Sequence, residues 1–297
     1  MPDMPQPYQD VYYRSGLDTM GAGRLALYAR DYTPQASRAV ICLHGLTRNS
    51  ADFEPLMAQL PPTHRFVVPD VRGRGRSQRD EAAANYTLGI YVQDVLALMT
   101  HLNIERATFI GTSMGGLISM VLAAMAPPRV RGIVLNDVGP KLSPEGLERI
   151  RSYVGKGKPA TTWAEAAEAT ARINAAAFPD FGPEDWMAFA RRTHVEIDGR
   201  PVAAYDTAIA EGMAPASEAV APPELWELWA GLKDLPVLAI RGGLSDLLSA
   251  QTLERMVREH PQTRSLTLPN RGHAPILDEP EAVTAIRAFL HDQDALD

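Results

Sequence analysis

Ser113 stands in Gly111-Thr112-Ser113-Met114-Gly115, a Gly-x-Ser-x-Gly pattern between the apolar run 107–110 and the helix-like run 117–126. A serine on a tight strand-to-helix turn presents its hydroxyl, and small flanking residues are needed because side chains there would collide with neighbouring elements. Serine is a poor nucleophile near neutral pH. A histidine must take its proton, and a carboxylate must hold that histidine in one tautomer. The chain supplies both types after the serine: Asp246, following the apolar run 237–240, and His273, following the run 265–268. These are the expected acid and base. Asp137 ends the run 133–136 and is a rival acid, or else a hydrogen-bonded group near the pocket. The other histidines outside the His44 turn, namely His64, His101, His194, His260 and His291, fall in helix ends or polar stretches and are expected at the surface.

Acyl transfer also needs donors for a developing oxyanion. His44-Gly45-Leu46-Thr47 closes the run 39–43, where a sharp turn would present a backbone N–H. The expected donors are therefore the amides of Leu46 and of Met114, the residue after the serine. His44 is expected to pack that turn, and Arg48 and Asn49 either border a substrate pocket or begin a solvent-facing helix. The segment Asp70-Val71-Arg72-Gly73-Arg74-Gly75-Arg76-Ser77 lacks the Lys-Ser/Thr ending of a phosphate-binding loop and the full Gly-x-Gly-x-x-Gly spacing. It reads instead as a sharp loop braced by Asp70 and Arg72.

These groups need a frame. Residues 11–15 and 25–32, separated by Met20-Gly21-Ala22-Gly23, predict an N-terminal β-hairpin. Short apolar runs at 39–43, 66–69, 107–110, 133–135, 237–240 and 265–268 alternate with helical stretches, which predicts an α/β class: a mostly parallel sheet flanked by crossover helices. Tyr91, Val95, Leu98 and Leu102 recur at helical spacing, and Asp278 with Glu281 suggests a capping-box start around Pro280. Residues 141–231 lack such a run and predict an inserted helical cap, leaving 1–140 and 232–297 as the core. Within the cap, Trp163, Trp186 and Met213, with Phe178, Phe181, Trp226 and Trp229, are available to wall a pocket, although most are expected in the cap's own core. The acidic tail 292–297 is expected to fray.

The 297 residues are 45% hydrophobic and 22% charged, an ordinary globular composition. A net charge of −7, with basic residues scattered among acidic ones, gives no footprint for nucleic acid. Cys42, the single cysteine, sits in an apolar run and is expected to be buried and inert. No signal-like or membrane-spanning stretch is evident, so a soluble cytoplasmic protein, monomer or homodimer, with no membrane partner, is expected. The serine chemistry requires neither metal nor organic cofactor.

Together, His44-Gly45, Asp70-x-Arg72-Gly73-x-Gly75-x-Ser77, Gly111-x-Ser113-x-Gly115-Gly116, Asp246 and Gly272-His273 resemble the α/β-hydrolase superfamily over nearly the whole chain. Leu46-Thr47-Arg48-Asn49, Leu135-Asn136-Asp137-Val138-Gly139-Pro140 and Gly272-His273-Ala274-Pro275 are similar to a bacterial branch described as hydrolases or acyltransferases. The resemblance implies that fold and esterase or lactonase chemistry on a small ester or lactone. An uncharged, moderately hydrophobic ester is the expected substrate. Serine at 113, where haloalkane dehalogenases and epoxide hydrolases carry aspartate, disfavours those activities. Carbon–carbon hydrolysis, acyl transfer to another acceptor and binding without turnover remain alternatives.

Overall fold

The computed structural model describes residues 7–16, 24–213 and 224–295. In chain order the strands are β1 (Gln9–Arg14), β2 (Ala26–Tyr32), β3 (Ala39–Leu43), β4 (Arg65–Asp70), β5 (Ala107–Thr112), β6 (Val130–Asn136), β7 (His194–Ile197), β8 (Arg200–Ala203), β9 (Val237–Gly242) and β10 (Thr263–Leu268). The α-helices are α1 (Glu54–Met57), α2 (Leu88–His101), α3 (Met114–Met125), α4 (Pro144–Tyr153), α5 (Trp163–Asn174), α6 (Pro183–Thr193), α7 (Trp226–Gly231), α8 (Ala250–Glu259) and α9 (Pro280–Asp294).

Eight strands form one sheet in the order β1-β2-β4-β3-β5-β6-β9-β10. Pairing is antiparallel from β1 to β2 and from β2 to β4, and parallel across the rest. The central strands are apolar on both faces because helices cover both. Alternation sends Phe109, Ile133 and Leu135 to the layer that holds Ile118 and Leu122 of α3, and Ile110 and Val134 to the layer that holds Ile286 and Phe289 of α9. Cys42 is fully buried in the second layer, and burial pushes its thiol well above the ordinary range, which leaves it inert.

The N-terminal hairpin forms, while Met20-Gly21-Ala22-Gly23 lies outside the described residues. Between β6 and β9 the segment expected as a helical cap carries a strand pair as well as helices. It holds α4 to α7 but also β7 and β8, an antiparallel pair turning through Asp198 and Gly199, both at positive φ. Asp-Gly is a strong hairpin signal that the helical composition around it obscured. Trp229 of α7 packs in the core layer with α3. The capping box at Pro280 does not form: Glu279 is the N-cap and makes no side-chain cap bond. Residues 292–294 of the tail are helical, and 296–297 lie outside the described residues.

The arginine-rich loop after β4 is a brace, as its residue types suggested. Arg72, with no exposed side-chain surface, donates to Asp94 through Nε (2.6 Å) and Nη2 (2.8 Å) and to Asp80 through Nη1 (2.6 Å). Asp70 accepts from the Ser50 N–H at 2.6 Å and the Arg76 N–H at 2.7 Å. A buried pair broken on one side leaves a charge without a partner. Arg72→Met, which strands two buried carboxylates, should cost about 3–5 kcal/mol in urea unfolding; a loss under about 1 kcal/mol would mean the loop needs no such brace.

Candidate active site

Ser113 follows β5 directly and has φ 52° and ψ −113°, a conformation an L residue adopts only when its surroundings impose it. The imposition comes from close packing. A Cβ on Gly115 would fall 1.9 Å from the Leu43 carbonyl oxygen, and one on Gly111 would fall 2.5 Å from Gly115 and Gly116 backbone. Only glycines let β3, β5 and α3 converge here, and the Ser113 N–H is tied to the Asn136 carbonyl of β6 at 2.9 Å. The turn thus lifts the serine hydroxyl off the sheet at the head of α3.

His273, on the loop after β10, lies 2.9 Å from Ser113 Oγ through Nε2. Its Nδ1 lies 2.7 Å from Asp137 Oδ2. Asp137 is the residue after β6, at φ 54°, and is fully buried. Its Oδ1 accepts from the Gly242 N–H at 2.7 Å and its Oδ2 also from the Ser245 hydroxyl at 2.5 Å. A carboxylate that accepts from Nδ1–H leaves Nε2 as the acceptor, so the imidazole is in the tautomer that can take the serine proton. The expectation that Asp246 fills this position is corrected. Its carboxylate is turned to Arg149 of α4, with Nε to Oδ2 at 2.5 Å and Nη2 to Oδ1 at 2.9 Å, and the guanidinium holds it below the usual carboxylate range. The adjoining Ser245 hydroxyl is what reaches the histidine's true partner.

At the end of β3, Gly45 and Leu46 face the serine across the site. The N–H groups of Leu46 and Met114 make no hydrogen bond among the described residues. Both residues are gripped by one side chain. Buried Arg74 donates from Nε to the Leu46 carbonyl (2.9 Å) and from Nη2 to Met114 Sδ (3.5 Å), while Nη1 reaches the Arg72 carbonyl and the Tyr91 hydroxyl. No carboxylate pairs with Arg74 among the described residues.

This arrangement sits in a chain whose residues 38–280 match the family described as alpha/beta hydrolase fold. The chain belongs to the α/β-hydrolase family. It is 36% identical over 264 residues to the 3-hydroxybutyrate-oligomer hydrolase of Cupriavidus necator, covering 86% of this chain and 89% of that one. It is 27% identical over 262 residues to Esterase YbfF of Escherichia coli, covering 85% and 93%. A crystal structure of an alpha/beta hydrolase from Novosphingobium aromaticivorans superposes with a TM-score of 0.87 at 43% identity, covering 96% and 98%.

A cavity of about 350 Å³ opens on Ser113 and His273 between the hydrolase sheet and the insertion. Arg48 lines it, stacked 4.3 Å from the Phe189 ring and bonded to Asp52 at 2.7 Å. Most other residues named for the pocket go elsewhere. Asn49 caps Ala51 through Oδ1 and bonds the Arg192 carbonyl of α6 through Nδ2. Trp163 donates to Glu196 and carries Arg191 over its ring. Trp186 packs among Phe178, Phe181 and Phe189 in the insertion's core. Met213 ends a 3-10 turn, and its side chain lies outside the described residues. Pocket-lining residues missed in the sequence include Arg79, Tyr153, Lys158, His194 and Tyr205. His194, expected at the surface, lines the cavity with its imidazole shifted down by burial. His64 and His260 are buried too. No periodicity marks the pocket positions, because they come from separate segments that meet only in the fold.

His44 is behind the cavity wall, fully buried. Its Nε2 accepts the Val71 N–H at 3.0 Å, so Nδ1 donates to the Gly45 carbonyl at 2.8 Å and fixes the turn that carries Leu46. Burial pushes the imidazole down to about 4. An unfolded chain therefore binds a proton there that the folded one refuses, and stability falls as pH drops from about 6.5 towards about 4, by roughly 3 kcal/mol. Denaturant unfolding across that range should show the fall, and His44→Gln, neutral throughout, should flatten it. An unchanged slope in the variant would assign the acid sensitivity elsewhere.

Proposed function

We propose that this hydrolase cleaves carboxylic esters through an acyl-enzyme on Ser113. The observation that carries the reading is His273 bridging Ser113 Oγ and the buried Asp137 carboxylate. As the substrate carbonyl is attacked, Nε2 takes the hydroxyl proton and Asp137 stabilises the resulting imidazolium. The imidazolium then hands its proton to the leaving alkoxide, and water deprotonated by the same Nε2 releases the acid. The unpaired amides of Leu46 and Met114 are the donors for the oxyanion, and Arg74 fixes both residues from below. Each such donor contributes a factor on the order of 10²–10³ in kcat. The ester reading is supported by relatives named as a 3-hydroxybutyrate-oligomer hydrolase and an esterase, since hydroxy acids joined to one another are linked by esters.

The test is hydrolysis of a 4-nitrophenyl ester series, acetyl to decanoyl, beside a lactone panel. Turnover should vanish in Ser113→Ala. Asp137→Asn should lower kcat by on the order of 10³–10⁴, while Asp246→Asn, whose partner is Arg149, should lower it less than about tenfold. The reverse ranking would return the acid's role to Asp246. Arg74→Met should lower kcat by about tenfold or more with little change in KM, as expected when oxyanion donors lose their alignment.

A further inference from the structure

The chain carries 36 acidic residues against 29 basic ones, yet the described residues lining the cavity include Arg48, Arg79 and Lys158 and no aspartate or glutamate. In a protein of net charge −7, the described lining of this cavity thus carries cations without carboxylates. The three cations come from three parts of the chain. Arg48 follows the β3 turn, Arg79 follows the arginine-rich loop after β4, and Lys158 enters from the segment between α4 and α5. Arg79 and Lys158 are exposed and form no ion pair or hydrogen bond among the described residues. Arg48 gives only Nη1 to Asp52, leaving its Nε and Nη2 hydrogens without a partner among the described residues. Its stem and the serine flank the same glycine: Arg48 Cγ and Ser113 Cβ lie 3.6 and 3.9 Å from the point where a Cβ on Gly45 would stand.

We propose that the substrate is an ester bearing a free carboxylate, held by Arg48 near the serine and drawn in by Arg79 and Lys158 at the mouth. This deepens the esterase reading and replaces the uncharged substrate that the sequence suggested. A hydroxy acid esterified by a second one, ending in its own carboxyl group, has the required chemistry. Field lines in a cleft of one sign raise the local concentration of the opposite ion, and a guanidinium offers a carboxylate paired donors. A neutral ester of the same shape gains neither.

Binding decides this independently of turnover. Calorimetric titration of Ser113→Ala with 3-butanoyloxybutanoate and with its methyl ester should show the acid binding at least about tenfold more tightly. The advantage should shrink as ionic strength rises, fall about threefold to tenfold in Arg79→Gln/Lys158→Gln, and disappear when Arg48→Gln is added. Both rim positions are exposed, so the double variant should melt at the wild-type temperature. Equal or tighter binding of the methyl ester would overturn the proposal, as would an acid advantage that survives all three substitutions. Turnover of the same pair by the wild-type enzyme tests the esterase reading separately. If neither ester is cleaved, that reading fails while the binding comparison still decides the charge preference.

Discussion

The buried carboxylate of Asp137 is the interaction on which the site depends. It emerges from β6, next to the strand that ends at Ser113, and collects donors from the end of β9, from Ser245 just beyond and from His273 on the loop after β10. A carboxylate with no exposed surface is tolerable only when its oxygens are saturated in this way. Its saturation ties the carboxyl ends of β6, β9 and β10 together. Asn136, immediately before it, extends the tie by donating to Thr112 Oγ1 and the Pro275 carbonyl while its own carbonyl receives the Ser113 N–H. Ser113 and Asp137, both at positive φ, therefore sit at the tips of adjacent strands, tied to each other through Asn136.

Around this centre the insertion is fastened to the sheet at points that flank the cavity. Arg149 of α4 binds Asp246 through two hydrogen bonds, the Asn49 amide reaches the Arg192 carbonyl at the end of α6, and the Gly272 N–H, beside His273, donates to the Ala177 carbonyl. Asp246 is thus engaged in holding α4 against the core, which is why it is not free to orient His273. The arginine-rich loop performs a matching task below the serine, with Arg72 bracing the loop itself and Arg74 passing that rigidity to Leu46 and Met114. Site geometry and fold stability draw here on the same hydrogen bonds.

Much of this was legible in the sequence for identifiable reasons. The Ser113 turn announces itself because its glycines are dictated by backbone collisions, and the sheet because strands buried on both faces read as short apolar runs. The bracing role of Asp70 and Arg72 followed from their residue types next to a strand end. The carboxylate that pairs with His273 did not follow. Both Asp137 and Asp246 succeed a strand, both come between serine and histidine in the chain, and only the direction of a side chain separates them. The pocket was also hidden. Its lining comes from many segments that meet only in space, and the bulky aromatics that stand out in the sequence are spent on the insertion's core, as Trp186 and Phe178 show.

The central claim is that Asp137 holds His273 through Nδ1 with Nε2 turned to Ser113. Proton NMR of the imidazole N–H region tests it most directly, since a hydrogen shared between imidazole and a buried carboxylate is shifted far downfield and protected from exchange. The account predicts such a resonance from His273 Nδ1 in the wild type and in Asp246→Ala, and its loss in Asp137→Ala. A resonance that persists without Asp137 and vanishes without Asp246 would contradict it.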